Sequence, residues 1–485
     1  MSKQPKQPSP PKTPTPSELK VGAQLRATIT GLSARGEGSV AVGERTLLVP
    51  GLIPGDTARV LVEALARFHP RAHGRALERL EPSPDRREPP CPRHLARANA
   101  ARSEGEPRAE CSGCPLMIAA VPAQRAAKLA RMRSELGLPV EAFEGGAELG
   151  YRWSSKRSVA GRSGALVFGS PVGGPSARRK PKKPSKGLWL ADMRGCLVDH
   201  PRIVAAFEAT RLLANALAIE AWRDDDEGGS GDLRHLWAKT DGERVLLTLV
   251  TGTDDSRAAR ELGPALLEQG AVAGVAWSVQ GERSNALRGS SAQTLGGLDE
   301  LAFEVLGVPL RVGALGFLQP NPEVAAKAYV ELVRGETNQP DQPDQSLALD
   351  LYAGAGVTTG LLRRRFAEVR PCESHPESAA ALGVPAQTAE QFLATRLEGN
   401  RPPPALVIAN PPRAGLGEAV CAQLLSLDAP RLHIMSCNPD TLAADLDRLA
   451  PGYVLDTLRA YDTLPQTPHV ELVARLRRRA PEPTP

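Results

Sequence analysis

From Leu19 to about Leu80, short runs such as QLRATIT, SVAVGERTLLVP and TARVLVEAL alternate apolar with polar residues, and Gly36-Glu37-Gly38 and Pro54-Gly55-Asp56 break them. A period of two with frequent turns predicts a small OB-like β-barrel, and PRAHGRALERLEPSPDR is read as the way out of it. The spacing of Ala, Leu and Met in AAVPAQRAAKLARMRSEL predicts a helix. Between Arg234 and Leu310, strand-like ERVLLTLVT, AGVAWSVQG and AFEVLGVPLRV alternate with the helical DDSRAARELGPALLEQ, so this stretch is expected to be mixed α and β. The polar run from Arg334 to Gln345 reads as a flexible insertion. Beyond it, strand, glycine turn and helix recur as far as Leu476, the rhythm of a parallel sheet.

The chain of 485 residues is long enough for about three domains. The pattern divides it into a disordered tail (1–17), the barrel (18–82), a central α+β domain (83–312) and a carboxy-terminal α/β, Rossmann-like domain (313–485). A net charge of +5 permits a polyanionic partner without demanding one, and the RRKPKKPSK run (Arg178–Lys186) is either a solvated loop or a phosphate contact. Aromatics at 4% argue against generic base-stacking surfaces. The 7 scattered cysteines do not form a disulfide framework, and no apolar run is long enough for a signal peptide or a membrane span. A cytoplasmic protein without a membrane partner is expected.

Candidate chemistry collects at predicted strand ends. LALDLYAGAGVTTGLL places Asp350 at the end of a strand, before a turn containing Gly354 and Gly356, where glycines let backbone approach a ligand. Glu373, after the next short strand, is placed to bond ribose hydroxyls. Asn410-Pro411-Pro412-Arg413 forms a stiff turn able to hold a flat base. Cys437 follows a hydrophobic strand and precedes a helix, a setting expected to lower a thiol pKa for nucleophilic attack. Glu471 in TPHVELVARL is either a general base or an edge-strand charge.

In this order Asp350-Leu-Tyr-Ala-Gly-Ala-Gly, Asn410-Pro-Pro-Arg, Ser436-Cys-Asn-Pro and His469-Val-Glu resemble the S-adenosylmethionine-dependent RNA uridine-5-methyltransferases. The amino-terminal barrel resembles the TRAM domain of that family's ribosomal branch. The resemblance implies that Cys437 adds to carbon 6 of uracil, that Glu471 removes the carbon 5 proton, and that Gln319, Tyr352, Gly354, Gly356, Glu373 and Asn410 form the cofactor site. It further implies that Cys91, Cys111, Cys114 and Cys196 hold a [4Fe-4S] cluster, although on spacing alone four thiolates suit zinc equally. The implied partner is RNA, ribosomal 23S first and transfer RNA second, and the implied state is a monomer.

Several positions depart from the family pattern. Asn410 stands where Asp is usual, Ala353 replaces a common cysteine, Val357 sits at a usually polar position, and Thr388 lies near where an acid contacts adenine. The gap between Cys91 and Cys111 is longer than the family's. These departures motivate a second hypothesis, an RNA-binding homologue with weak or lost catalysis. Retention of both Cys437 and Glu471 argues for an active enzyme.

Overall fold

A computed structural model describes residues 19–97, 111–171, 190–224, 229–282, 286–335, 344–398 and 401–480. The amino-terminal tail to residue 18, the RRKPKKPSK run and residues 336–343 lie outside the described residues. The chain divides into two compact units. The first comprises residues 1–90, 114–131 and 466–468; the second comprises 91–113, 132–465 and 469–485.

The first unit carries β1 (Gln24–Thr28), β2 (Gly31–Leu32), β3 (Gly38–Val42), β4 (Arg45–Val49), β5 (Thr57–Leu65) and β6 (Arg71–Glu81), in the order β1-β5-β6-β4-β3-β2. Leu47, Val49, Val60, Val62 and Ala72 fill its core from alternate strand positions. Two features differ from expectation. The sheet is a curled half-barrel with β1 and β2 at its edges, not a closed barrel. PRAHGRALERLE, expected to lead out of the barrel, instead forms its longest strand. The first part of β6 alternates, with Ala72 and Gly74 buried, but from Leu77 to Glu81 it is exposed on both faces, so Leu, Glu and Arg follow one another there without the alternation that marks a half-buried strand. Asp56 fastens the β5 turn to the end of β6, accepting from the Ile53 and Ser83 amides at 2.9 Å and from Arg86. Helix α1 (Val121–Glu135) forms where its spacing predicts.

In the second unit come β7 (Ala142–Glu144), β8 (Ser154–Arg162), β9 (Ala165–Pro171), β10 (Leu190–Asp192), α2 (Pro201–Ala216), β11 (Leu233–Thr240), β12 (Val245–Thr251), α3 (Gly263–Glu268), β13 (Gly274–Val279), β14 (Gln293–Gly297) and a hairpin of β15 (Glu300–Val305) with β16 (Val308–Gly313). Strands β10-β9-β8-β11-β12-β13-β14 make one sheet. One face buries Val159, Phe168, Leu236, Leu247 and Leu249 against Ile203 and Phe207 of α2 and Leu266 of α3.

The chain then runs through α4 (Pro322–Leu332), β17 (Asp344–Leu351), α5 (Val357–Leu362), β18 (Phe366–Cys372), α6 (Pro376–Leu382), α7 (Ala389–Glu398), β19 (Leu406–Ala409), α8 (Gly417–Leu427), β20 (Arg431–Ser436), α9 (Pro439–Leu449), β21 (Tyr453–Tyr461) and β22 (Glu471–Arg478). The sheet order is β18-β17-β19-β20-β22-β21-β7. Pairing is parallel from β18 to β20, but β22 is antiparallel to both β20 and β21, so the expected parallel rhythm ends in an antiparallel pair. With no helix between them, β21 and β22 return as a hairpin, which needs no crossover. Glu471 therefore opens an interior strand, not an edge strand.

Candidate active site

The carboxyl ends of β17, β19 and β20 lie side by side, where open α/β sheets bind ligands. Tyr352, Asn410 and Cys437 each follow the last residue of one of these strands. Because β22 runs antiparallel to β20 with Ser436 opposite Leu472, one further step in register sets Cys437 against Glu471. Two residues far apart in sequence thus become neighbours through strand pairing.

Arg413 stands between them. Its guanidinium hydrogen-bonds the Cys437 thiol and its charge acts on both groups. Burial nevertheless pushes Glu471 up to about 8, with Arg413 opposing. The thiol expected to be lowered is raised, first by burial and then by the Glu471 charge, while Arg413 pulls it down. The short run from strand to helix does not offset that desolvation. The Arg413 carbonyl accepts from the Asn438 amide at 3.0 Å and from the Thr441 hydroxyl at 3.4 Å, tying the Asn410-Pro-Pro-Arg turn to α9. Asp445 receives the Leu416 and Gly417 amides and fixes the far side of that loop.

The other half of the site is the turn after β17. Glu373 accepts from the Gly354 amide at 2.8 Å with one oxygen and from the His375 amide at 2.6 Å with the other. It shapes the turn; the oxygen bonded to His375 also accepts from the Ser374 hydroxyl at 3.5 Å, and the oxygen bonded to Gly354 keeps a further lone pair for a hydroxyl donor. Gly356 has φ +84°, and a Cβ there would meet Leu382 Cδ2 at 2.7 Å. Tyr352 holds φ +61° without being glycine, a strained backbone of the kind that collects at ligand sites. Asp350 is 1% exposed and pushed up to about 6 by burial, although Thr358 and Thr359 donate to it at 2.9 and 2.6 Å. Gln319 hydrogen-bonds the hydroxyl of Tyr329 on α4, a hydroxyl whose pKa burial raises to about 12 and on which both Glu471 and Asp350 act.

Residues 404–479 match the family model described as tRNA (Uracil-5-)-methyltransferase, a span that holds Asn410, Arg413, Cys437 and Glu471. The chain is 29% identical to an uncharacterized RNA methyltransferase of Gloeobacter violaceus over 96% of this chain and 98% of that one. It is 24% identical to an uncharacterized RNA methyltransferase of Listeria monocytogenes, over 95% and 99% respectively. The chain is an RNA methyltransferase. Among solved structures, Pyrococcus abyssi tRNA (uracil-54, C5)-methyltransferase in complex with S-adenosyl-L-homocysteine shares the methyltransferase's fold, with a TM-score of 0.66 at 22% identity over 93% of this chain and 100% of that one.

The cysteine quartet of the methyltransferase does not assemble as expected. Among the described residues no group of three or more His, Cys, Asp or Glu side chains is arranged to hold a metal ion. Burial raises the Cys91 thiol, with the charge of Cys111 adding to it, and Cys196 lies in a small cavity with Arg157 and Asp199, its thiol pushed up to about 11 mainly by burial. The residues as placed do not fit a [4Fe-4S] cluster, and no step below passes through one.

Two of the departures have a local account. Val357 opens α5 as part of the hydrophobic core. The Thr388 hydroxyl accepts from the Gln391 amide at 3.3 Å while Gln391 Oε1 accepts from the Thr388 amide at 3.0 Å, the reciprocal pair of a capping box ahead of α7. Sequence reasoning missed the reach of Arg413 and the Tyr329 contact with Gln319. The first was visible only as the last letter of its motif. For the second, a tyrosine ten positions beyond the glutamine gives no signal before α4 folds back.

Proposed function

We propose that this enzyme transfers a methyl group from S-adenosylmethionine to carbon 5 of a uridine in RNA. The carrying observation is the register that sets Cys437 against Glu471 with Arg413 beside both. S-adenosylmethionine, when bound, supplies an electrophilic methyl. Gln319, Tyr352, Gly354, Gly356, Glu373 and Asn410 are the residues that would hold it. The Cys437 thiolate adds to carbon 6 of the uracil, and the electron pair released towards carbon 5 makes that carbon the nucleophile for the methyl. Glu471 then takes the carbon 5 proton, the double bond re-forms, and the thiolate leaves. Glu471 has to be ionised to take that proton, and the Arg413 charge offsets the like charge it then sets against the Cys437 thiolate.

The target uridine has to leave its stack to reach Cys437. Ribosomal 23S RNA is the preferred substrate, on the resemblance of the amino-terminal sheet and cysteine spacing to the ribosomal branch. Transfer RNA is the second reading, favoured by the fold shared with the Pyrococcus enzyme. The division into 18–82, 83–312 and 313–485 accompanies this proposal, with RNA contacts assigned to the first two parts and catalysis to the third. The [4Fe-4S] reading rests on the sequence pattern alone, and iron and acid-labile sulfide content after anaerobic purification checks it. Among the described residues no helix is long and apolar enough to cross a membrane.

Mass-spectrometric nucleoside analysis of ribosomal and transfer RNA from cells with and without the protein tests the proposal. Loss of a 5-methyluridine from one pool is expected. Unchanged 5-methyluridine in both pools would leave the RNA-binding homologue as the better account.

A further inference from the structure

The central sheet buries one face against α2 and α3, and the other face carries a cluster that the methyl-transfer chemistry does not use. Trp237 on β11 sits directly across from Lys156 on β8. Three cations surround its indole: Lys239 Nζ lies 3.8 Å from the ring centroid, Lys156 Nζ 4.0 Å and the Arg288 guanidinium carbon 5.8 Å. Trp237 Nε1 donates to the Ser154 hydroxyl at 2.9 Å, which fixes the ring. Among the described residues none of the three cations forms an ion pair with a carboxylate. Like charges gathered on one ring repel one another, and the indole face offsets only part of that repulsion.

The three are not equivalent. Lys239 is 1% exposed and spends its ammonium on the Gly313 and Ala314 carbonyls at 2.8 and 2.5 Å. Arg288 Nη1 donates to the Leu315 carbonyl at 2.9 Å, and the Thr248 hydroxyl to Ala314 at 3.1 Å. Three successive carbonyls are therefore clamped by this face, just before the chain continues through Gly316, Phe317 and Leu318 to Gln319 of the cofactor site. Lys156 is exposed and Arg288 half-buried, so both side chains are accessible from solvent.

We propose that Lys156 and Arg288, backed by Lys239 and Trp237, form a phosphodiester-binding site that grips the RNA backbone beside the active site. The inference rests on the RNA reading above and adds to it a place of contact. An oxyanion there would receive charge-assisted hydrogen bonds and relieve the repulsion among the cations. Since the clamp and the anion share Arg288, occupancy would also steady the segment that carries Gln319.

The test measures binding of a labelled hairpin RNA with loop uridines to the full chain at several salt concentrations, for the wild type and for Lys156→Ala, Arg288→Ala, the double variant and Lys156→Arg. Each alanine variant should weaken binding about tenfold and lower the salt slope by about one, and Lys156→Arg should retain most of the affinity. Matching thermal unfolding keeps a folding defect apart from a lost contact. A double variant with wild-type affinity and salt slope would overturn the site, even if the wild type forms 5-methyluridine. Conversely, a wild type that forms none but loses RNA affinity in these variants would keep the site and defeat the catalytic proposal.

Discussion

Glu373 and Glu471 are two carboxylates at strand ends of one sheet, and they are treated in opposite ways. Glu373 has both oxygens occupied by backbone amides of the turn it shapes. Glu471 is buried with its pKa pushed up to about 8, opposed by the charge of Arg413. The cofactor half is thus a rigid cradle built from satisfied hydrogen bonds. The proposed catalytic half keeps a carboxyl, that of Glu471, whose protonation can change near neutral pH, as proton transfer requires.

The largest break in this comparison should come from Cys437→Ala. It removes the proposed nucleophile, so 5-methyluridine formation by the purified enzyme should fall at least about a thousandfold while RNA affinity, measured by filter binding, holds. A change in the cradle should act differently. Gly356→Ala places a methyl 2.7 Å from Leu382 in a backbone with positive φ, so it should raise the KM for S-adenosylmethionine and cost about 1–3 kcal/mol by denaturant unfolding.

Titration sharpens the contrast. A base whose pKa is about 8 and a nucleophile raised above the ordinary thiol value both need deprotonation, so kcat/KM should climb from pH 6 towards pH 9. Stability should move the other way. Glu471 binds its proton more tightly in the folded state than unfolded, so its favourable contribution is complete below the ordinary carboxyl pKa of 4.5 and is lost as pH rises through about 8. Glu471→Gln should accordingly raise the midpoint of thermal unfolding relative to wild type at pH 8 and change it little at pH 4. The smallest effect is expected at the cap of α7, where Thr388→Ala should cost about 1 kcal/mol by denaturant unfolding, with modest change in cofactor affinity.

The placement of candidate residues that a local pattern announces was legible in sequence. The glycine turn, Asn410-Pro-Pro-Arg413, Cys437 and Glu471 all lie at strand ends that hydrophobic runs predict, and the structure brings them to neighbouring positions on one sheet. What depended on register was not legible. The raised thiol of Cys437 follows first from its burial and then from the charge of Glu471, and no local pattern announces either the burial or a partner more than thirty positions away. The Tyr329 contact with Gln319 needs the fold of α4, and the cations of Lys156, Lys239 and Arg288 meet only when β8 pairs with β11 and the Gly313–Leu315 segment crosses the sheet. β6 escaped recognition for a different reason: its second part, Leu77 to Glu81, is exposed on both faces and lacks the alternation by which a half-buried strand is read. The cysteine quartet is the reverse case: its spacing resembles a ligand set, and among the described residues no such set is assembled.

The most direct test of the assignment of Cys437 and Glu471 is denaturing electrophoresis of Glu471→Gln after incubation with RNA and methyl-labelled S-adenosylmethionine. If Cys437 attacks and Glu471 serves only to remove the carbon 5 proton, addition and methyl transfer proceed but elimination stalls. The variant should then migrate as a slow, labelled protein–RNA adduct that disappears when Cys437→Ala is added. Wild-type turnover by Glu471→Gln, or an adduct that survives loss of Cys437, would contradict the assignment.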